Sequence, residues 1–359
     1  MKNNGVFIIA EAGVNHNGSL DMAYQLIDAA VSSGADAVKF QTFTAERLAS
    51  KSVSKAKYQK KATSDIESQY EMLKKLELSY EDYYMLLDYA NKKKIKFLST
   101  AFDIQGLKFL VNECGVDLLK IPSGEITNGP LLLEFARYKK PIILSTGMSS
   151  LSDIEQALSV LAFGLLGEKI PSTLAFREAY ISTEGQRLLR KYVSLLHCTS
   201  EYPTSIENVN LKAMDTMKIA FGLNIGYSDH TLGITIPIAA VARGAAIIEK
   251  HFTIDKNLPG PDHRASLEPH ELSMMVKSIR EVESCLGSGV KRPSKIEVEN
   301  QSIIRKNLVA ARKLNQGKRL ETDDIDVLRS EDGISPMNYW DVVGKVIKKS
   351  INSGDPIEI

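Results

Sequence analysis

Short apolar runs separated by amphipathic stretches give this chain its main rhythm. The runs are VFIIA (6 to 10), AVKF (37 to 40), IKFLS (95 to 99), DLLKI (117 to 121), PIILS (141 to 145), YVSLLHC (192 to 198), LNIGYS (223 to 228) and AIIEKHF (246 to 252). Runs apolar on both faces fit strands of a buried parallel sheet, because crossover helices cover the outside. Between the first two, Ser19 caps a helix whose stripe is Leu20, Ala23, Tyr24, Ile27, Ala30 and Val31, and Gly34 stands where the C-terminal cap belongs. Similar patterns predict helices over roughly 79–93, 103–114, 128–138, 151–163, 205–219, 232–243 and 269–285, and residues 164–191 leave room for an added helix. Eight strand-helix units in about 285 residues is the arithmetic of a (β/α)8 TIM barrel. A doubly wound open sheet is the alternative, but no GxGxxG follows the first run.

The texture changes after Cys285. The chain is expected to divide into a barrel over 1–286, a linker over 287–301 rich in small and charged residues, and a compact β-rich module over 302–359 with strand-prone pieces LVAAR and DVVGKVIKKSI. Composition then narrows the class. With 45 Lys+Arg against 44 Asp+Glu the formal charge is +1, which gives no basic footprint for nucleic acid. No apolar run approaches a membrane span, the first run is too short for a signal peptide, and three cysteines without metal spacing suit a reducing cytosol. A soluble cytoplasmic protein is expected. The five lysines between Lys51 and Lys61 read as a solvated face.

In a barrel the chemistry collects where the strands end. The ends here are Glu11 with Asn15 and His16, Lys39 and Gln41, Thr100, Lys120 with Ser123 and Glu125, Ser145 and Thr146, Thr199 with Ser200 and Tyr202, Ser228 with Asp229 and His230, and Glu249 with His251. Helix capping accounts for hydroxyls at such places, but not for lysines, glutamates and histidines emerging from apolar strands. Lys39 and Lys120 with hydroxyls from Thr100, Ser123 and Ser145 suit a phosphate or carboxylate. The competing reading is an internal Lys-Glu ion pair across the barrel. His230 and His251 end neighbouring strands, so their rings can converge on one divalent ion, with Mn²⁺, Mg²⁺ or Zn²⁺ compatible with two imidazoles and no thiolate. His16 reads as a loop histidine satisfying local backbone, and His197, His263 and His270 as packing residues.

Taken together, IIAEAGVNHNG (8 to 18), VKFQTF (38 to 43), FLSTAFD (97 to 103), KIPSGEITN (120 to 128), IILSTGM (142 to 148), LLHCTSEYPT (195 to 204), IGYSDHT (225 to 231), IEKHFT (248 to 253) and PGPDHRASLEP (259 to 269) closely resemble the bacterial sialic acid synthase family. The match runs nearly end to end. The resemblance implies a (β/α)8 barrel followed by a small antifreeze-like domain, and a domain-swapped homodimer. It implies condensation of phosphoenolpyruvate with an N-acetylated mannose-type sugar, giving a nine-carbon 2-keto acid and phosphate, with a divalent metal, manganese first and magnesium or cobalt behind it. By resemblance Lys39, Thr100, Lys120, Ser123, Ser145 and Ser228 hold phosphoenolpyruvate, Ser200 stands at a substrate-contacting position where some members carry Asn or Thr, and His230 and His251 are the metal ligands. Glu11, Gln41, Tyr202 and Asp262 surround the acceptor, Glu125 and Glu249 flank the reacting centre with Glu11, and Arg329 is supplied by the partner's small domain. Stretches such as ESQYEMLKKLEL (67 to 78) lean toward the branch making N-acetylneuraminate or N,N'-diacetyllegionaminate, with a slight preference for the latter. A pseudaminate synthase, a phosphoenolpyruvate-dependent synthase taking a phosphorylated sugar, and an inactive sugar- or ice-binding scaffold are the competing expectations.

Overall fold

The computed structural model describes residues 5–55, 67–330 and 332–359, so the second half of the lysine run lies outside the described residues. Two compact units divide at Gly287 and Ser288. The first is a closed parallel barrel of eight strands in sequential order: β1 (Phe7–Gly13), β2 (Ala37–Thr42), β3 (Lys96–Ala101), β4 (Leu119–Ile121), β5 (Ile142–Ser145), β6 (Val193–His197), β7 (Asn224–Asp229) and β8 (Ile247–His251). Each falls on one of the eight apolar runs. The first crossover helix, Leu20–Ser32, starts where Ser19 accepts from the Met22 amide. It ends in paired bonds from Gly34 N to Val31 O and Ala35 N to Ala30 O, with Gly34 at φ 77°. That double-bonded exit needs a left-handed residue, which glycine adopts without a Cβ clash.

Three expectations need correction. The stretch 103–114 is a short helix, Ile104–Lys108, running into a π-turn over Phe109–Glu113. The stretch 205–219 is a 3-10 turn over Ile206–Asn208, then a helix only from Ala213 to Phe221, because Asn210 turns left-handed at φ 50°. The long 164–191 connection carries two helices, Thr173–Ile181 and Thr183–Tyr192, the first capped by Ser172 and the second by Ser182.

What positions the site is the two-residue period of the strands. Ile9, Ala37, Leu98, Leu118, Ile143, Leu196 and Ile247 form an apolar plug inside the barrel. The remaining strand, β7, contributes Gly226, where a Cβ would lie 2.5 Å from both Ile247 O and Leu196 Cδ2. Two residues further along each strand stand Glu11, Lys39, Thr100, Lys120, Ser145, Cys198, Ser228 and Glu249. Alternation keeps them facing the same interior, so the plug becomes a polar floor within one step.

The second unit contains the helix Lys295–Ile304, which occupies part of the stretch expected as linker, and an antiparallel pair, β9 (Lys306–Ala310) and β10 (Ile325–Arg329). Of the two strand-prone pieces only the first forms a strand. The second is helical at Tyr339–Val342 and touches the rest through isolated bridges at Val346 and Ile351. Its core is Leu308, Ala310, Leu314, Leu320, Ile325, Val342, Ile347, Ile351 and Ile357.

The buried Asp324 ties this unit together. Its carboxylate accepts from Glu321 N at 2.9 Å and Arg312 Nε at 2.9 Å, with Lys318 Nζ at 3.2 Å. Burial alone would raise its pKa, but those donors and cations outweigh burial and hold it below the ordinary carboxylate value. A depressed folded pKa adds stability above the unfolded value, about 4, that is lost as pH falls through the folded value. Fluorescence of Trp340, the only tryptophan, should therefore report an acid transition of this unit below about pH 4. Asp324→Asn should remove that pH dependence; an unchanged acid profile would contradict it.

Candidate active site

Above the polar floor lies a cavity of about 470 Å³. Glu11, Lys39, Gln41, Thr100, Lys120, Ser123, Ser145, Ser200, Tyr202, Ser228, His230, Glu249, His251 and Asp262 all line it. Two candidate residues do not. Glu125 ends a 3-10 turn off the wall and accepts from Asn128 Nδ2 at 2.7 Å, and Arg329 is an exposed residue at the end of β10 in the second unit.

Strand register makes the polar pairs. Glu11 is level with Lys39 on one side and His251 on the other, Thr100 with Lys120, and Ser228 with Glu249. Lys39 Nζ lies 2.8 Å from Glu11 Oε2 and 3.6 Å from Glu249 Oε2, and donates to Thr100 Oγ1 at 3.0 Å. Lys120 Nζ donates to Ser145 Oγ at 2.7 Å and lies 3.7 Å from Glu249 Oε1, which accepts from Ser228 Oγ at 2.9 Å. The internal ion pair is thus present, and the two lysines share it unequally. Burial lowers the pKa of both, but Glu11 and Glu249 more than offset it for Lys39, whereas Lys120 stays lowered. An incoming anion would relieve Lys120 most. The carboxyls are also driven apart: burial, reinforced by Glu249, raises Glu11, while for Glu249 burial is outweighed by Lys120 and Lys39, which hold it low.

The rings of His230 and His251 lie 5.5 Å apart, with Tyr202 tilted over His230 at 4.0 Å. His230 Nδ1 meets Thr199 O at 2.6 Å, which leaves its Nε2 as the available donor nitrogen. His251 Nδ1 is buried without a hydrogen bond, 3.9 Å from Asp262 Oδ2. Burial lowers both imidazoles, His230 to about 4, and raises Asp262 to about 6. Two neutral imidazoles, one carrying an orphaned nitrogen beside a carboxyl, are a donor set that fits a divalent cation with open positions. No cluster of three His, Cys, Asp or Glu stands ready as a complete cage among the described residues. His16 accepts from Gly18 N at 3.0 Å, a loop role, and His197 and His263 are tied to Val209 O and Thr253 Oγ1.

Three features had not been singled out in the sequence. Cys198 completes the floor at β6, with Sγ 3.1 Å from Ser123 Oγ, and only the two-residue period points to it. Lys250 faces away from the cavity and pairs at 2.5 Å with Asp229, both fully buried. An apolar wall of Leu48, Met72, Leu73, Leu76 and Phe102 closes one side of the cavity.

A parallel barrel whose mouth holds buried lysines, glutamates and an imidazole pair is the setting of an anion-using, metal-assisted synthase. The chain belongs to the NeuB family: the model of that family matches residues 26–291, and that of the SAF domain matches residues 305–358. It is an enzyme of the phosphoenolpyruvate-dependent sialic acid synthase type. It is 47% identical to the N,N'-diacetyllegionaminic acid synthase of Legionella pneumophila, over 97% of this chain and 92% of that one. It is also 47% identical to the enzyme of the same name from Campylobacter jejuni, over 98% of each. A crystal structure of an N-acetylneuraminic acid synthetase from Leptospira borgpetersenii, in complex with citrate, matches with a TM-score of 0.68 at 36% identity, over 84% of this chain and 93% of that one. Synthases of this family are generally metal-dependent.

Proposed function

We propose that this enzyme condenses phosphoenolpyruvate with 2,4-diacetamido-2,4,6-trideoxymannose, releasing phosphate and forming N,N'-diacetyllegionaminate. The observation that carries the reading is the buried floor, where Lys39 and Lys120 stand among Thr100, Ser145 and Ser228 at the bottom of the cavity. Ammonium groups supply charge and hydroxyls supply direction for a small dianion or trianion. The 47% identity to two proteins named for the diacetamido product supports the choice of acceptor.

In this reading the lysines and hydroxyls hold the carboxylate and phosphate of phosphoenolpyruvate so that its C3 faces the acceptor aldehyde. Carbon-carbon bond formation sends the aldehyde C=O electron pair onto its oxygen, which becomes the new hydroxyl with the proton that water loses in the next step, and leaves positive charge at C2. The Glu249 and Glu11 carboxylates flank that position, stabilise the charge and take the proton of the incoming water. Phosphate then leaves from the tetrahedral centre toward the lysines. His230 and His251 would hold the divalent metal, manganese foremost and magnesium or cobalt as alternatives, which when bound polarises the aldehyde as a Lewis acid. Ser123, Ser200, Gln41, Tyr202 and Asp262 complete the substrate contacts. Glu125 acts from the rim, and Arg329 acts from the small domain of a partner in a domain-swapped homodimer. The three free cysteines agree with a reducing cytoplasm.

Phosphate release tests the reading. The diacetamido sugar should support it with kcat/KM at least about tenfold above N-acetylmannosamine. Chelation should abolish it, manganese should restore it, and His251→Ala should not respond to manganese. Turnover in the fully chelated enzyme would refute the metal assignment.

A further inference from the structure

The polar floor and the imidazoles account for only part of the cavity surface. In the closed order β1 to β8, the strands β2 and β3 stand across the barrel from β6 and β7. His230, His251, Tyr202 and Asp262 come from the β6, β7 and β8 side, and the opposite side is made by chain following β2 and β3. It presents Leu48, Met72, Leu73, Leu76 and Phe102, with the Gln69 amide as a polar group among them.

This wall has a sequence cause. The helix Gln69–Lys75 is opened by a capping box in which Ser68 and Glu71 satisfy each other's amides. Positions 69, 72, 73 and 76 then share one face, while Lys74 lies on the solvent side with Glu46 and Glu77 at 2.9 Å each. Met72, Leu73 and Leu76 share one buried apolar cluster with Val14, Phe43 and Ala45, so the wall has a fixed backing.

A sugar whose aldehyde meets phosphoenolpyruvate at the floor must send its far carbons away from the floor. The β6 to β8 side carries the polar side chains Tyr202, His230, His251 and Asp262 that its hydroxyl groups could meet. We infer that the apolar wall of Leu48, Met72, Leu73, Leu76 and Phe102 selects the acceptor by its far end, seating the C6 methyl and the methyl of the 4-acetamido group, with Gln69 bonding that amide. A C6 hydroxyl placed against these five apolar side chains loses water and finds no partner, since Gln69 is engaged by the acetamido group. A hydrophobic seat rejects an added hydroxyl by up to about a hundredfold, and this sets the expected discrimination. The inference rests on the preceding reading that the acceptor enters this cavity, and it adds which side chains choose it.

The test is a ratio: kcat/KM for the diacetamido-trideoxy sugar over kcat/KM for N-acetylmannosamine, in wild type, Leu73→Gln and Leu48→Gln. Leu73 is buried in the wall and Leu48 is half-buried on another helix, so the second variant keeps the test open if the first disturbs packing. Both variants should lower the ratio at least tenfold, with KM for phosphoenolpyruvate within twofold of wild type. A ratio unchanged in both variants, with that KM preserved, overturns the role of the wall. A wild type preferring N-acetylmannosamine instead overturns the acceptor assignment of the preceding section.

Discussion

Lys39→Met should lower kcat/KM for phosphoenolpyruvate by about a hundred- to a thousandfold, the loss expected when a preorganised charge is removed from a water-excluded site. Lys39 is the hub of the floor, within 3.6 Å of both Glu11 and Glu249. Without its ammonium, buried Glu11 loses its cation and Glu249 keeps only Lys120 at 3.7 Å, so the unliganded protein should also lose thermal stability. Lys120→Met supplies the contrast. Its carboxylate partner is farther, at 3.7 Å, and its charge is the less compensated of the two. It should cost a comparable factor in kcat/KM with a smaller drop in melting temperature. Initial rates of phosphate release, with thermal melts of the unliganded variants, measure both. A Lys39→Met enzyme within fivefold of wild type would remove this lysine from the reaction.

How much of this floor could be read in the sequence follows from what each signal encodes. The eight apolar runs mark the strands because a barrel strand covered on both faces has to be apolar along its length. Lys39 and Lys120 stand out because an ammonium group interrupting such a run must be paired or liganded. What one sequence does not display is which polar strand-end residue faces inward. Glu249 and Lys250 are adjacent letters, yet Glu249 lines the cavity and Lys250 faces the opposite way. The apolar wall was hidden for a related reason. Met72, Leu73 and Leu76 form an ordinary amphipathic stripe, and periodicity marks the apolar face without saying whether a core or a substrate lies against it. Glu125 shows how a local turn shifts a neighbour of the cavity residues. It ends a motif full of cavity residues, but the 3-10 turn after β4 carries it off the wall. In the second unit, β10 was missed because IDVLR is short and half-polar, and its pairing with β9 is a long-range contact.

The pair behind the imidazoles leads to the second large effect, in stability. Lys250→Met should destabilise the barrel by about 3–5 kcal/mol, the cost of leaving a fully buried carboxylate without its cation. Asp229 Oδ1 accepts from the Tyr227 hydroxyl at 3.0 Å and Thr231 N at 3.1 Å, and Oδ2 accepts from Thr231 Oγ1 at 3.0 Å and Lys250 Nζ at 2.5 Å. Lys250 also donates to Thr231 O. Every partner is on β7, on β8 or just after β7, and Asp229 and Lys250 are register mates. A slip of one residue between these strands would separate the charges and turn either Ser228 and His230, or Glu249 and His251, off the cavity face. Removing both charges in Asp229→Asn/Lys250→Met leaves hydrogen-bonding groups without an unpaired ion, so the double variant should recover most of the lost stability. Denaturant unfolding of wild type, Lys250→Met and the double variant measures this coupling. Additive losses in the double variant would show that the pair does not act as a unit.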